Sequence, residues 1–258
     1  MTLISLFNLN IMHGRNLKSP IFPLRVSRKQ AENNLQKIAD LIKKFNSDVV
    51  ILQEVDQFSV LSGGFNQFHF LADKLNYFYK YFAPSCSAIF LDKNIFVSGT
   101  AIFSKYPLEN CESFNFSFSF PTERKGFIIA DLKLPHGQVL TVVSIHLVWL
   151  DWLRFNSRSH QLDMVRHILS KKKNPVILAG DMNCDFASKE KSLRLFVDDL
   201  DLKVYEPESK NLNTYPSWKP TKRIDWAFLS KEIDFFSYKT IDERVSDHLA
   251  VFATVSIT

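Results

Sequence analysis

Polar side chains that can bind a metal ion or move a proton stand at the ends of several apolar segments of this 258-residue chain. Glu54 follows Val-Val-Ile-Leu-Gln, and His146 follows Thr-Val-Val-Ser-Ile. The full set of such residues is Asn8, Glu54, His146, Asp181, Asn183, Asp225, Asp247 and His248. Because a buried charge is costly unless it is paired or binds a metal, we interpret these strand ends as one site rather than as separate caps or core groups.

Hydrolysis of a phosphate ester is the chemistry that this set supports. Mg²⁺ prefers oxygen ligands, and Glu54 with Asn8 beside it offers them. Asp181 is a second carboxylate that is placed to activate a water molecule, while Asp225 and His248 could pair to orient a charged imidazole near the phosphate. The chain has no GxSxG, Walker, GxGxxG or HExxH pattern, which disfavours the chemistries that those motifs serve.

Hydrophobic periodicity predicts the elements that position these residues. Strands are expected at 3–9, 49–53, 101–103, 126–134, 139–145, 176–179, 224–229 and 249–256, and helices at 27–45, 158–169 and 191–200. The alternation of Phe with polar residues over 114–120 is typical of a half-buried strand. Since helices follow several of the strands, sheets covered by helices are predicted. With no linker or repeat in view, residues 1–258 are expected to form a single domain.

Composition narrows the class of protein without naming a substrate. The net charge of +5 permits a polyanionic partner but does not require one. Three cysteines without CxxC spacing argue against a disulfide framework and favour a reducing compartment. No apolar run reaches the length of a membrane span, and the N-terminus lacks the pattern of a signal peptide, so a cytoplasmic location is expected.

These residues resemble the endonuclease/exonuclease/phosphatase superfamily, whose members share the DNase-I-like fold. The matching blocks, in order, are Phe7-Asn8-Leu9-Asn10, Leu52-Gln53-Glu54, Gly99-Thr100-Ala101-Ile102-Phe103-Ser104, Ser144-Ile145-His146-Leu147, Gly180-Asp181-Met182-Asn183, Arg223-Ile224-Asp225-Trp226 and Ser246-Asp247-His248. The match extends from residue 3 to residue 254. The resemblance implies an α/β fold, a four-layer α/β/β/α sandwich of two mixed sheets flanked by helices, with the site at one edge of the packed sheets.

The resemblance also implies a metal side of the site. Glu54 would bind the essential Mg²⁺ or Mn²⁺, and Asn8 would lie in its shell. Asp247 would be a second carboxylate on the metal side. Arg124 resembles a family arginine near the substrate phosphate, although its block, Thr122 to Gly126, matches more loosely.

The remaining residues would take part in catalysis. By the same resemblance, Asp181 would align and deprotonate the attacking water, and Asn183 would hold that water or the phosphate. His248 would contact the scissile phosphate, with Asp225 accepting its other ring proton. His146 would donate to a non-bridging phosphate oxygen. The expected reaction is in-line attack by an activated water, with no covalent enzyme intermediate.

Three functions stay open at this point. The first is a Mg²⁺-dependent phosphodiesterase that acts on nucleic acid, that is, a nuclease. The second is a sphingomyelinase-like phosphodiesterase or phosphatase for a phospholipid headgroup or a small molecule. The third is a catalytically silent binding domain of the same fold, which the filled acid and histidine positions disfavour. A monomer is expected in each case.

Several other residues allow two interpretations. Trp149, Trp152 and Phe155 follow the histidine block and could stack on bases, insert at a lipid interface or pack into the core. The histidines outside the blocks, His13 included, are interpreted as structural or solvated; the alternative for His13, which follows Asn8 closely, is that it reaches the site. Asp56 and Asp185, which flank two blocks, are expected to be exposed, and Lys171-Lys172-Lys173 to be a solvated helix end.

Overall fold

The computed structural model describes residues 2–15, 25–90, 93–118, 123–150 and 157–257. The strands are β1 (Thr2–Asn10), β2 (Val49–Ser59), β3 (Tyr79–Phe90), β4 (Lys93–Ser104), β5 (Leu108–Asn115), β6 (Gly126–Lys133), β7 (Val139–His146), β8 (Val176–Asp181), β9 (Lys203–Val204), β10 (Asp225–Leu229), β11 (Ile233–Ile241) and β12 (Ala250–Ile257). The α-helices are α1 (Arg28–Phe45), α2 (Gln67–Leu75), α3 (Ser157–Leu169) and α4 (Ser192–Asp199).

The strands form two mixed six-stranded sheets. The first has the order β11-β12-β1-β2-β4-β3, and the second has the order β5-β6-β7-β8-β10-β9. Each sheet contains one parallel pair at its centre, β1 with β2 and β7 with β8, and its other pairs are antiparallel. Helix α1 connects the first parallel pair and α3 connects the second, as parallel neighbours require. The carboxyl ends of both pairs therefore carry the residues that follow β1, β2, β7 and β8.

Apolar side chains fill three layers of core. Ile51 of the first sheet and Ile177 of the second belong to the layer between the sheets. Helices α1 and α2 cover the outer face of the first sheet, where Leu35 packs with Val50. Helices α3 and α4 cover the outer face of the second sheet, where Leu162 packs. The four-layer α/β/β/α sandwich is confirmed, and because both faces of the central strands are covered, those strands are continuously apolar.

Helix α1 begins at the predicted position because its first turn is capped. The Ser27 hydroxyl accepts the backbone N–H of Gln30, and the Gln30 side chain accepts the backbone N–H of Ser27, which is a capping box. Further along the helix, the buried Asn34 side chain donates to the carbonyls of Gly14 at 3.3 Å and Val245 at 2.9 Å. The helix thus ties together two loops that border the site.

The structure differs from the predicted elements in three ways. The strand predicted over 49–53 continues to Ser59 through a bulge between Leu52 and Val55. The strand predicted over 114–120 ends at Asn115, and residues 119–120 lie outside the described part of the chain. Strands β3, β9 and β11 and helix α2 were not predicted. All three strands lie at sheet edges, where solvated side chains interrupt the alternation that a sequence pattern needs.

Within the described ranges, none of the helices combines the length and the apolar character that crossing a bilayer requires.

Candidate active site

Polar residues from the two sheets converge on one cavity of about 840 Å³. It opens at the edge where the carboxyl ends of β1, β2, β7 and β8 meet. Its lining includes the residues Asn10, Glu54, His146, Asp181, Asn183, Asp247 and His248. The strand-end residues of the sequence, apart from Asn8 and Asp225, thus line a single site, and Asp225 contacts it through His248.

Glu54 stands at the bulge of β2 with a φ of 55°, a left-handed conformation that is uncommon for a residue with a side chain. Its carboxylate is held by two cationic groups. Lys125 Nζ lies 3.2 Å from Oε1, and His13 Nε2 lies 3.2 Å from Oε2. Burial opposes ionisation, but Lys125 and His13 outweigh it and hold the pKa of Glu54 well below its usual value. Glu54 is therefore an anion at neutral pH.

Asp181 ends β8 and is almost fully buried. Asn10 Nδ2 donates to Oδ2 at 3.0 Å, and the backbone N–H of Asn183 donates to Oδ1 at 2.9 Å. Burial raises the pKa of Asp181 to about 7, although the nearby His248 acts in the opposite direction. A carboxyl with a pKa near neutrality is suited to accept a proton from water.

His248 and Asp225 form a buried pair beside Asp181. His248 Nδ1 lies 2.8 Å from Asp225 Oδ2, and its Nε2 lies 3.8 Å from Asp181 Oδ2. Asp225 is fully buried, and its backbone N–H donates to the Thr214 hydroxyl at 3.3 Å. Burial lowers the pKa of His248, but Asp225 and Asp181 outweigh it and raise that pKa well above the usual value. The pair presents a positively charged Nε2–H to the cavity.

His146 lies between the two carboxylates of the site. Its Nε2 is 3.5 Å from Asp181 Oδ2 and 3.9 Å from Glu54 Oε1. Burial and the neighbouring Lys125 hold the pKa of His146 well below its usual value. A neutral imidazole carries one N–H and one acceptor nitrogen, so this ring can donate a single hydrogen bond.

Asn183 shapes the turn after β8. Its side-chain amide donates to the Leu147 carbonyl at 2.9 Å, which fastens the turn after β8 to the end of β7. Its φ is 48°, a conformation that asparagine tolerates better than most residues. The glycine of the same block is needed for strand pairing, because a Cβ on Gly180 would lie 1.8 Å from the Ile145 carbonyl oxygen.

Two predicted site residues lie elsewhere. Asn8 is not among the described residues that line the cavity; its Oδ1 accepts from Gln53 Nε2 at 2.8 Å, behind the site. Asn10 lines the cavity instead, because residues two apart in a strand face the same side and the later one is nearer the strand end. Arg124 is exposed, and the buried cation at Glu54 is its neighbour Lys125. A one-residue or two-residue shift therefore separates prediction from structure in both blocks.

The site also contains a pair that the sequence did not single out. Asp56 was predicted to be exposed, which is wrong: it is fully buried and its Oδ1 lies 2.7 Å from His13 Nδ1. The continuation of β2 beyond Glu54 carries Asp56 inward. Burial opposes protonation of His13, but Glu54 and Asp56 outweigh it and raise the pKa of His13 to about 9. Asp185, also predicted to be exposed, is half-buried and lines the cavity.

Trp149 stands at the rim. Its side chain is 59% exposed and lines the cavity, so it is not packed into the core. Its backbone is held from below, since Arg158 Nη1 donates to the carbonyls of Val148 at 2.9 Å and Trp149 at 3.2 Å. Trp152 and Phe155 lie outside the described residues.

Comparison with known proteins identifies the family. The sequence profile of the endonuclease/exonuclease/phosphatase family matches residues 9–248. The chain belongs to this family. Members of the endonuclease/exonuclease/phosphatase family are typically phosphoester hydrolases, and they usually depend on a divalent metal ion.

Similar proteins cover most or nearly all of the chain. The uncharacterized protein YbhP of Escherichia coli is 25% identical over 232 residues, which are 86% of this chain and 87% of YbhP. A family member from Beutenbergia cavernae has a TM-score of 0.76 at 18% identity, covering 99% of this chain and 72% of its own. A mannosyl-6-phosphatase from Bacteroides thetaiotaomicron has a TM-score of 0.74 at 15% identity, with 98% and 100% covered. The human Nocturnin catalytic domain with bound sulfate has a TM-score of 0.71 at 22% identity, with 99% and 95% covered.

The donor set fits the metal dependence of the family. Glu54 and Asp247 are carboxylates that line the same cavity, and Asn10 lines it too. A carboxylate has about four lone-pair sites, so Glu54 keeps acceptor capacity for a cation after its contacts with Lys125 and His13. Oxygen donors of this kind suit a hard cation such as Mg²⁺ or Mn²⁺.

A second group of side chains in the site is compact. The ligand atoms of Asp181, Asp225 and His248 all lie within 4.8 Å of one another. His248 Nδ1 is hydrogen-bonded to Asp225, and its Nε2 faces Asp181, so both nitrogens of this ring face carboxylates. We therefore interpret these three residues as an acid–base group and Glu54 with Asp247 as the cation-binding side.

Proposed function

We propose that the protein is a metal-dependent hydrolase that cleaves a phosphodiester bond by in-line attack of water, with nucleic acid as its leading substrate class. The observation that carries the proposal is the position of Asp181, a carboxyl poised to accept a proton, between His146 and His248. These two rings differ in charge: the first is neutral and the second is cationic. A base flanked by two hydrogen-bond donors suits water attack on a phosphate, because the base activates the water and the donors stabilise the charge on the phosphate oxygens.

Each residue has a role in that reaction. Asp181 Oδ2 takes a proton from the attacking water as the new P–O bond forms, and the bond to the leaving oxygen breaks on the opposite side; that oxygen leaves with the bonding electron pair and takes a proton from solvent. His248, oriented by Asp225, donates from Nε2 to the phosphate, while His146 donates to a non-bridging oxygen. Asn183 fixes the turn that carries Asp181.

Glu54, Asp247 and Asn10 would hold the divalent ion, which would add positive charge against the phosphate oxygens. In this assignment Asn10 takes the place that the sequence suggested for Asn8. The buried cation of the Arg124 block is Lys125, whose ammonium balances Glu54 although Lys125 is not among the described residues that line the cavity.

The rim of the cavity favours nucleic acid. Arg15 and Lys222 line the cavity together with the exposed Trp149. Proteins that bind single-stranded nucleic acid use cations to contact the backbone phosphates and an aromatic side chain on which a base can stack. A mild positive charge of +5 is compatible with such a polyanion.

A small phosphoester is the second candidate, whether a phosphorylated sugar or a lipid headgroup. Asp185 and Glu190 line part of the same cavity, and these carboxylates would accept hydrogen bonds from the hydroxyls of a small leaving group. The structural similarity to a mannosyl-6-phosphatase also supports this candidate. A silent binding domain is disfavoured because each acid–base position is occupied by a competent side chain.

We also propose that residues 1–258 act as one domain, as a monomer and in the cytoplasm. β12 near the end of the chain pairs with β1 at its beginning, so the first sheet needs both ends of the chain. The three cysteines are free, as a reducing compartment would keep them.

The test is Mg²⁺-dependent nicking of supercoiled plasmid by the wild type, Asp181→Asn and the control Asp131→Asn. Asp131 is a buried carboxylate in the second sheet that is hydrogen-bonded by Thr141 and Asn110. We expect nicking by the wild type and the control, abolition by EDTA, and a loss of at least about 10²-fold in Asp181→Asn, the size of a general-base contribution.

The remaining outcomes separate the candidates. Nicking should fall steeply with salt, because backbone contacts release counterions. Hydrolysis of sugar phosphates or vesicle headgroups without nicking would favour the second candidate. Wild-type turnover by Asp181→Asn would contradict the assignment of Asp181 as the general base. A lack of turnover on all of these esters by the wild type would contradict the proposal that the protein is an enzyme.

A further inference from the structure

Two His–Asp pairs border the cavity, and the proposed function uses only one of them. The His248–Asp225 pair directs its Nε2 toward the base. On the other side of the cavity, His13 makes the matching contacts: its Nδ1 lies 2.7 Å from Asp56 Oδ1, and its Nε2 lies 3.2 Å from Glu54 Oε2. The second pair therefore directs its Nε2 at the carboxylate assigned to the metal.

Asp56 is built into the protein as a fixed acceptor. It is fully buried, and the Ser62 hydroxyl donates to its second carboxylate oxygen. Its backbone N–H donates to Gln67 Oε1 at 3.2 Å. Asp56 is not among the described residues that line the cavity, so it can act on the site only through His13. A buried carboxylate of this kind is strongly destabilising unless it is paired, and the imidazole is its partner.

The backbone around His13 is held in an uncommon conformation. His13 has a φ of 54° and Met12 a φ of 47°, while Glu54 has a φ of 55°. Left-handed residues with side chains are unfavourable and persist only where surrounding contacts impose them. Gln67 Nε2 supplies one such contact by donating to the His13 carbonyl at 2.8 Å. Strain on both partners of the His13–Glu54 contact indicates that the fold maintains this contact at a cost in stability.

We propose that His13, held by Asp56, is a positioning residue that donates from Nε2 to Glu54 and fixes this carboxylate for a divalent cation. The inference rests on the proposed role of Glu54. Asp56 accepts at Nδ1, which leaves Nε2 to face the cavity, while Lys125 holds the other oxygen of Glu54. Hydrogen-bonded partners of metal ligands contribute about 10–100-fold to metal affinity, and we assign that contribution here to a pair outside the ligand set.

The test measures Mg²⁺ binding by titration calorimetry for His13→Asn, Asp56→Asn and the double variant. Asparagine suits position 13 because it tolerates a positive φ and yet is too short to bridge Asp56 and Glu54. Glu54→Gln is the reference for loss of the ligand. Asp131→Asn is the matched control, because Asp131 is also a buried carboxylate bonded by a hydroxyl, with Thr141 Oγ1 at 2.7 Å. Thermal unfolding without metal reports the structural cost of each variant separately.

We expect His13→Asn and Asp56→Asn each to weaken Mg²⁺ binding by about 10–100-fold. The double variant should lose no more Mg²⁺ affinity than His13→Asn alone, because the two residues act as one unit. The control should bind Mg²⁺ within about twofold of wild type even where its Tm falls. Affinity within about twofold of wild type in His13→Asn would overturn the proposal, and that variant decides alone if Asp56→Asn does not fold. Loss in His13→Asn with normal binding in Asp56→Asn would also overturn it, because His13 would then act without Asp56.

Failure of the proposed function would look different. If Glu54→Gln bound Mg²⁺ like the wild type, both the metal assignment and the positioning role would be wrong. If the binding results are as expected but no phosphate ester is hydrolysed, only the proposed activity fails. The readout is binding, so it does not depend on knowing the natural substrate.

Discussion

Replacing Asp225 by Asn removes one charge from the buried His248–Asp225 pair and leaves its shape almost unchanged. Asp225 Oδ2 accepts from His248 Nδ1 at 2.8 Å, while its Oδ1 is buried without a hydrogen-bond partner among the described residues. The asparagine amide can face the ring with either its oxygen or its NH₂ group. In the first case a neutral imidazole keeps its proton on Nδ1, so Nε2 no longer carries the proton that the phosphate needs; in the second case Nε2 keeps a proton but the ring loses its charge.

The size of the effect follows from these contacts. A hydrogen bond to a charged group contributes about 1.5–3 kcal/mol, which corresponds to about 10–150-fold in rate if it is realised in the transition state. Loss of the proton from Nε2 adds to this; in a Ser-His-Asp triad, where the histidine acts as a base, the same Asp→Asn substitution costs about 10⁴-fold, which we take as the upper bound. We therefore expect kcat of Asp225→Asn to fall between about tenfold and about 10⁴-fold. The fold should survive, because His248 can become neutral rather than remain as an unpaired buried charge.

The assay is steady-state hydrolysis of a phosphodiester at saturating Mg²⁺, with KM and Mg²⁺ affinity measured alongside. Both should stay near wild-type values, because Asp225 contacts neither the cation-binding carboxylates nor the rim. A kcat within about threefold of wild type would refute the role of the pair as a proton donor, since even its hydrogen bond should contribute more. A change confined to Mg²⁺ affinity would instead place Asp225 on the metal side, as the close spacing of Asp181, Asp225 and His248 allows.

Two further predictions concern the rim and the scaffold. Trp149→Ala should raise KM for a single-stranded oligonucleotide by about 5–150-fold, since stacking on one base contributes about 1–3 kcal/mol; an unchanged KM would exclude Trp149 as a stacking surface. Ser27→Ala should lower the free energy of unfolding by about 1 kcal/mol, because the hydroxyl that caps α1 is lost. Urea unfolding measures that change, and a variant as stable as the wild type would show that the cap is not needed.

The sequence was sufficient to predict the architecture and the grouping of Asp181, His146 and His248 at one edge of the sheets. Asp181, His146 and His248 follow or precede strands whose apolar pattern is unambiguous, so their common edge could be predicted from chain order. The covered sheets could be predicted for the same reason, since central strands are apolar on both faces. Edge strands β3 and β11 carry mixed patterns of apolar and polar residues, so they could not be predicted in this way.

Register limited the prediction on the metal side. Asn8 and Asn10 share one face of β1, and only the position of the strand end decides which one reaches the cavity. The bulge at Glu54 is equally hidden, because no glycine or proline marks it, yet it sets the course of β2 and buries Asp56. Secondary-structure propensity is a property of single residues, whereas a bulge depends on the pairing of β2 with β4.

The site exists because the two sheets meet at the ends of their parallel pairs. Asn10 of the first sheet donates to Asp181 of the second at 3.0 Å, and Lys125, which precedes β6, reaches Glu54 of β2. Neither sheet alone contains both a proposed cation-binding carboxylate and the proposed proton acceptor. The distance between the two functions is therefore set by the apolar layer that packs the sheets together, and the His–Asp pairs fix only the orientation of the groups that this layer brings into reach.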